Sequence, residues 1–194
     1  MRRVSAPRAS LPTADLARIV VFAAFIAVLG IFPGFYVGGS GVPIVLQNMG
    51  PLLAGAILGA RRGTASVVLL LALTAIGLPL LSGGRGGLAP FAGPSGGFLL
   101  GWILSALVAG LIVQRAERPG LPTLLLATTA GLLVDYAIGI PFLGAYTGDL
   151  GAAAVQSLVF VPGDAGKVVA AAVVAALVHR ALPGTATGPA VRSE

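Results

Sequence analysis

Ten of the twelve basic residues stand at one set of ends of the apolar runs, and that arrangement constrains the fold more than any other feature of the 194 residues. Arg2, Arg3, Arg8 and Arg18 precede the first run, and Arg61 and Arg62 separate the second from the third. Arg115 and Arg118 separate the fourth from the fifth, and Arg180 and Arg192 follow the last. At the opposite ends only Arg85 and Lys167 are basic. Lys and Arg accumulate in cytoplasmic loops because positive charge resists translocation. The alternation predicts an all-α integral membrane protein of six transmembrane helices with both termini inside. It also isolates Arg85 and Lys167 as the basic groups on the outer side.

Composition agrees that lipid is the solvent. The chain is 57% hydrophobic and 9% charged, where a soluble domain carries about a quarter charged residues. The net charge of +6 is dispersed among the predicted inner loops rather than gathered into a stripe with aromatics, so nucleic acid is not the expected partner. The absence of cysteine excludes disulfides and thiolate metal sites. The lone His179 falls at a cytoplasmic end, so no metal site is expected and a Ser–His nucleophilic pair would have to span the membrane. No enzyme signature remains, and there is no room for an ATPase domain.

About twenty apolar residues cross the hydrocarbon layer as a helix. Runs punctuated by Gly, Pro and Arg place the spans at 15–32, 43–60, 63–81, 97–113, 121–140 and 163–182. Residues 1–14 and 183–194 are expected to be cytoplasmic tails flanking a membrane domain at 15–182. The glycine-rich stretch 82–97 cannot continue a helix, and 151–161 is apolar but too short to cross. Both are expected at the outer face, the second as an interfacial segment or lid. Backbone of this kind at membrane depth is tolerated only where it packs over something. Gly55 with Gly59, and Gly97 with Gly101, have the small-xxx-small spacing of close helix contacts.

The strongest local constellation is PGDAGK, opening the last span. A spacing of three puts Asp164 and Lys167 on one helical face. Asp164 could be a simple N-cap, with Lys167 snorkelling to the interface. Against this, a charge inside a span costs about 2.5–3.5 kcal/mol on insertion scales, and positive charge outside opposes the topology rule. The segment is not a phosphate loop, because Val161 and Val168 occupy positions that motif gives to Gly and Ser or Thr. Gln47 and Asn48 lie at the outer end of the second span. Arg85 is flanked by glycines that would let backbone close around a small anion. Asp135, followed by Tyr136, is an acid within the fifth span, with functional and structural roles equally open.

Three stretches taken together, GVPIVLQNMGPLLAGAILGARRG, AIGLPLLSGGRGGLAPFAGPSGGFLLGW and FVPGDAGK, resemble the BioY family, the biotin-specific S components of energy-coupling factor (ECF) transporters. The resemblance runs from about residue 18 to residue 180. Val45 stands where the family pattern leads one to expect Thr, and Phe98 where Tyr is commoner. The resemblance implies a six-helix protein that captures biotin from outside and works with a transmembrane coupling subunit and paired cytoplasmic ATPases, although some members act alone. It also implies an AxxxA surface for the coupling subunit on the first helix, here Ala23 and Ala27.

The residues suit that ligand independently. A desolvated carboxylate needs a cation, supplied by Lys167 or Arg85. Ureido N–H donors need acceptors, for which Asp164, Gln47 and Asn48 qualify. The apolar body needs walls, for which Phe91, Phe98 and Tyr36 are placed. Two other readings keep the membrane domain: an S component for another vitamin, and a stand-alone facilitator or proton-coupled carrier with Asp135 as its titrating group.

Overall fold

The computed structural model describes residues 13–37, 39–182 and 186, so the expected tails lie almost wholly outside the described residues. The described chain is a helical bundle with one small ladder. α1 (Thr13–Leu29) is followed by a loop carrying β1 (Phe35–Tyr36) and β2 (Pro43–Ile44). The two strands pair antiparallel, Phe35 opposite Ile44 and Tyr36 opposite Pro43. Then come α2 (Met49–Ala75), the short α3 (Ala89–Ala92), α4 (Gly96–Gln114) and α5 (Leu121–Thr147). α6 (Leu150–Ser157), a single 3₁₀ turn at Leu158–Phe160 and α7 (Val161–Ala181) complete the order.

α2 joins the expected second and third spans with no loop between them. Its 27 residues are interrupted at Gly59, whose φ of 79° and ψ of 178° are not helical. Only glycine takes such a conformation without strain. The two arms, 49–58 and 60–75, fold back on one another. A Cβ at Gly63 would lie 2.5 Å from the Ala54 carbonyl oxygen, and the Gln47 side chain reaches the Leu80 carbonyl at 2.8 Å. Arg61 and Arg62 therefore mark the tip of a helical hairpin rather than a loop. The hinge is also crowded: a Cβ at Gly59 would lie 2.6 Å from the carbonyl oxygen of Ala186.

Among the described residues, four helical stretches are long and apolar enough to cross a membrane: Met49–Ala75, Gly96–Gln114, Leu121–Thr147 and Leu150–Ala181. α1 has 17 residues within the described part of the chain, at the lower end of the roughly 17–25 that span the hydrocarbon layer. The expected interfacial segment after the fifth span is α6 with its 3₁₀ turn. Asp149 caps α6 by accepting from the Ala152 amide at 2.9 Å, and Leu150 packs on Gly144 of α5.

The core lies where α2, α4 and α5 meet, and small residues set how closely they approach. Gly55 lies against Ala106, Gly97 against Phe142 and Gly101 against Asp135, so these three glycines serve packing within the chain. Gly59 is the hinge instead. α1 turns Ala23 inward, 3% exposed beside Ile26 and Ala54, and holds Ala27 half-buried on the same cluster. Of the two residues of the expected AxxxA docking surface, Ala23 is therefore covered by the chain's own core and Ala27 is partly open. The face that α1 leaves open carries Val20, Val21, Phe25 and Val28.

A candidate ligand-binding cavity

At the end of the bundle opposite the Gly59 hinge, the β1–β2 loop and the glycine-rich loop close over the starts of α4 and α7. They surround a partly open hollow, a concave place of the kind small molecules occupy. Asn48, Arg85, Phe98, Trp102, Asp135, Tyr136, Phe160, Asp164 and Lys167 are among the residues lining it.

α7 begins at Val161 with Phe160 as its N-cap. Asp164 is thus inside the first turn, not the cap, and its carboxylate turns into the bundle with 3% exposure. Its Oδ1 accepts from Lys167 Nζ at 2.7 Å and from Asn48 Nδ2 at 3.0 Å, and its Oδ2 accepts from the Tyr136 hydroxyl at 2.7 Å. Lys167 does not snorkel outward. Its ammonium also donates to Asn48 Oδ1 at 2.8 Å and to the Val45 carbonyl at 2.6 Å. An ammonium has three protons, and all are engaged. A buried ion pair is tolerable only with such additional bonds, because desolvation otherwise outweighs the Coulomb gain. Val45 contributes its backbone carbonyl, so the departure from Thr leaves that bond in place.

Gln47 and Arg85 organise the loops. Gln47 is 1% exposed. Its Nε2 donates to the carbonyls of Ile26 at 3.1 Å and Leu80 at 2.8 Å, while its Oε1 accepts from the Ser82 amide at 3.1 Å. Its amide ties the end of α1 to the loops, and Gln47, expected as a ligand acceptor, is also among the residues lining the hollow. Arg85 donates through Nε to the Ser82 carbonyl at 3.0 Å and through an Nη to Ser95 Oγ at 3.3 Å. The turn that holds it requires positive φ at Gly83 and Gly84, 78° and 69°.

The walls differ in part from expectation. Phe98 lines the hollow and meets Phe160 edge to face, ring centroids 6.0 Å apart. Tyr36 and Phe91 are not among the lining residues. Tyr36 sits on β1, where both strand residues face outward, and is 63% exposed. Phe91, on α3, packs into the apolar cluster that holds Leu99 and Trp102. Sequence reasoning left Ser95, Trp102, Tyr136 and Phe160 without a site role. Two of these had a usable signal: Trp102 follows Phe98, and Asp164 follows Phe160, by four residues, the spacing of one helical face.

The BioY family model matches residues 2–184. The chain belongs to the BioY family. A relative from Rhizobium etli named biotin transporter BioY is 46% identical over 181 residues, covering 89% of this chain and 94% of the relative. Another of that name from Rhodobacter capsulatus is 45% identical over 179 residues, covering 85% of this chain and 93% of the relative. The fold is similar to that in a 2.1 Å crystal structure of the S-component for biotin from an ECF-type ABC transporter. The TM-score is 0.83 at 34% identity, with 87% of this chain and 92% of that one covered. As a BioY protein the chain is a multi-pass integral membrane protein of the bacterial cell membrane, and its family is one of transporters rather than enzymes.

Proposed function

We propose that this chain captures biotin at the outer face of the cytoplasmic membrane and delivers it inward as the S component of an ECF transporter. A coupling subunit and a pair of cytoplasmic ATPases would supply the energy, and membrane lipid would surround the bundle. The relatives' names and the solved S-component support the ligand and the role. The observation that carries the reading to the site is the Asp164–Lys167 pair at 2.7 Å in the wall of an aromatic-lined hollow. Biotin joins an apolar bicycle, a ureido group and a carboxylate. Phe98, Trp102 and Phe160 suit the first, Asp164 and Asn48 the second, and Arg85 or Lys167 the third. Such a site discriminates strongly, because an analogue lacking a matching group leaves buried polar atoms unpaired.

The chain passes the membrane six times on this reading, in α1, both arms of α2, α4, α5 and α7, with both termini inside. Arg62 Nε lies 3.4 Å from Asp15 Oδ1, putting the hairpin tip beside the start of α1, while Gln47 joins the other ends of these elements. That separation supports the inner and outer ends inferred from the basic residues. Among the described residues there are no cysteines, so Tyr146→Cys and Glu117→Cys give clean probes. An impermeant maleimide added to intact cells should label the first and not the second, and the reverse pattern would invert the topology.

The function is tested by equilibrium binding of radiolabelled biotin to the detergent-purified chain, alongside a panel of other vitamins. Saturable binding competed by biotin alone is expected. Absence of saturable binding, or preference for another vitamin, overturns the assignment.

A further inference from the structure

Asp135 is in the wall of the same cavity and has no part in the hydrogen-bond network just described. It is 4% exposed, it lines the hollow, and its buried Oδ1 has no hydrogen-bond partner. Three donors of the same wall bond elsewhere: Tyr136 bonds Asp164, Asn48 bonds Asp164, and Lys167 divides its protons among Asp164, Asn48 and Val45. α4 presents Gly101 to this carboxyl, and a Cβ there would collide with Oδ1. A polar oxygen buried without a partner is costly, and an apolar residue would fit this position between two helices without that cost. The chain gives this oxygen no partner, and the cavity is where one could arrive.

We propose that Asp135 is a recognition residue whose carboxyl accepts a hydrogen bond from an N–H of the bound ligand, a ureido N–H of biotin on the reading above, on which this inference rests. Rotation about the terminal side-chain bond is soft for Asp and brings either oxygen to the cavity. A ligand with no N–H at that place leaves the carboxyl unpaired, so Asp135 selects for cyclic ureas over compounds that only match their shape. Gly101 is the complementary feature on α4: its bare backbone leaves the carboxyl room to turn.

The test is equilibrium binding by the full chain in detergent, for wild type, Asp135→Asn, Asp135→Leu and Asp135→Ala, with biotin and with biotins methylated on one or the other ureido nitrogen. The expected result is a loss of tenfold or more in biotin affinity for Asp135→Leu. Asp135→Asn, which keeps an acceptor of the same size, recovers most of it. Methylation of one of the two nitrogens should cost the wild type at least tenfold and cost the Leu variant little. A purely structural role would lower binding of biotin and its methylated forms alike, so equal methylation penalties in wild type and variant overturn the inference. Should Asp135→Leu not fold, the same comparison is made with Asp135→Ala. Wild type that binds biotin, with variants that match it, removes this inference alone, whereas wild type that does not bind biotin removes the proposed function as well.

Discussion

The two ends of the bundle use their polar residues in opposite ways. At the cavity end, Asn48, Tyr136, Asp164 and Lys167, drawn from three distant parts of the chain, bond to one another around an aromatic-walled hollow. At the end that holds the Gly59 hinge the polar side chains tie helix ends together. Arg62, 7% exposed, pairs with Asp15; His179 Nε2 lies 2.9 Å from the Ala56 carbonyl; and Gln114 donates to the Ala186 carbonyl at 3.0 Å. A hollow exists there too, lined by Glu117, Arg118, His179 and Arg180, but no Phe, Trp or Tyr walls it. Helix ends need their backbone groups satisfied wherever they lie. At the cavity end the Asp164–Lys167 pair lies in the wall of a hollow, and charge is what a span otherwise avoids.

The sharpest way to break this contrast is to split that pair. Asp164→Asn and Lys167→Ala should each weaken biotin binding by more than about tenfold, since stranding one member of a buried pair costs roughly 3–5 kcal/mol. Both variants should remain folded, because Asn48 and Tyr136 still satisfy what is left at position 164. Wild-type affinity in both, measured by equilibrium binding on monodisperse protein, would dismiss the site.

Gln47→Leu sharpens the contrast from within the cavity end. It leaves the Ile26 and Leu80 carbonyls and the Ser82 amide without their partner, at about 1–3 kcal/mol for each group that stays dry. The expected result is a clear drop in thermal midpoint together with weaker biotin binding, because the loops lose their anchor. Lost affinity with an unchanged midpoint would instead make Gln47 a direct ligand contact.

Arg62→Gln tests the hinge end. It removes the charge facing Asp15 at 3.4 Å, so stability should fall, by up to about 3–5 kcal/mol if the pair is effectively buried. Biotin affinity of the folded fraction should stay within about twofold, as the residue is at the other end of α2's second arm from the cavity. A tenfold loss of affinity with the fold intact would show that the two ends are coupled.

Fold class and the principal charge pair were legible because each is written in local sequence. Charge alternation and apolar run length are read residue by residue, and Asp164 and Lys167 are one helical turn apart. Three things were not local. Whether Arg61 and Arg62 form a loop or a hairpin tip depended on the conformation of Gly59, and glycine is common throughout this chain. The role of Gln47 depended on which backbone groups the loops brought to it, since a polar side chain at a helix end serves backbone and ligand equally well. The inward turn of Ala23 depended on the rotation of α1, and a helix that is apolar on all sides carries no pattern to set it.

Tyr36 gives the smallest expected effect and the cleanest check on how the cavity end was read. Its aromatic ring and its place in a glycine-rich outer loop suited it to wall a ligand, as Phe98 does. In the ladder it is instead 63% exposed and not among the lining residues. Tyr36→Ala should therefore change biotin affinity by less than about twofold, since exposed substitutions away from buried networks usually fall within ±0.5 kcal/mol. Phe98→Ala in the same assay should cost far more, because it opens the wall shared with Phe160 and large-to-small aromatic changes cost about 3–5 kcal/mol when buried. A comparable loss for Tyr36→Ala would mean that the β1–β2 loop folds inward over the bound ligand, bringing that exposed ring into the site.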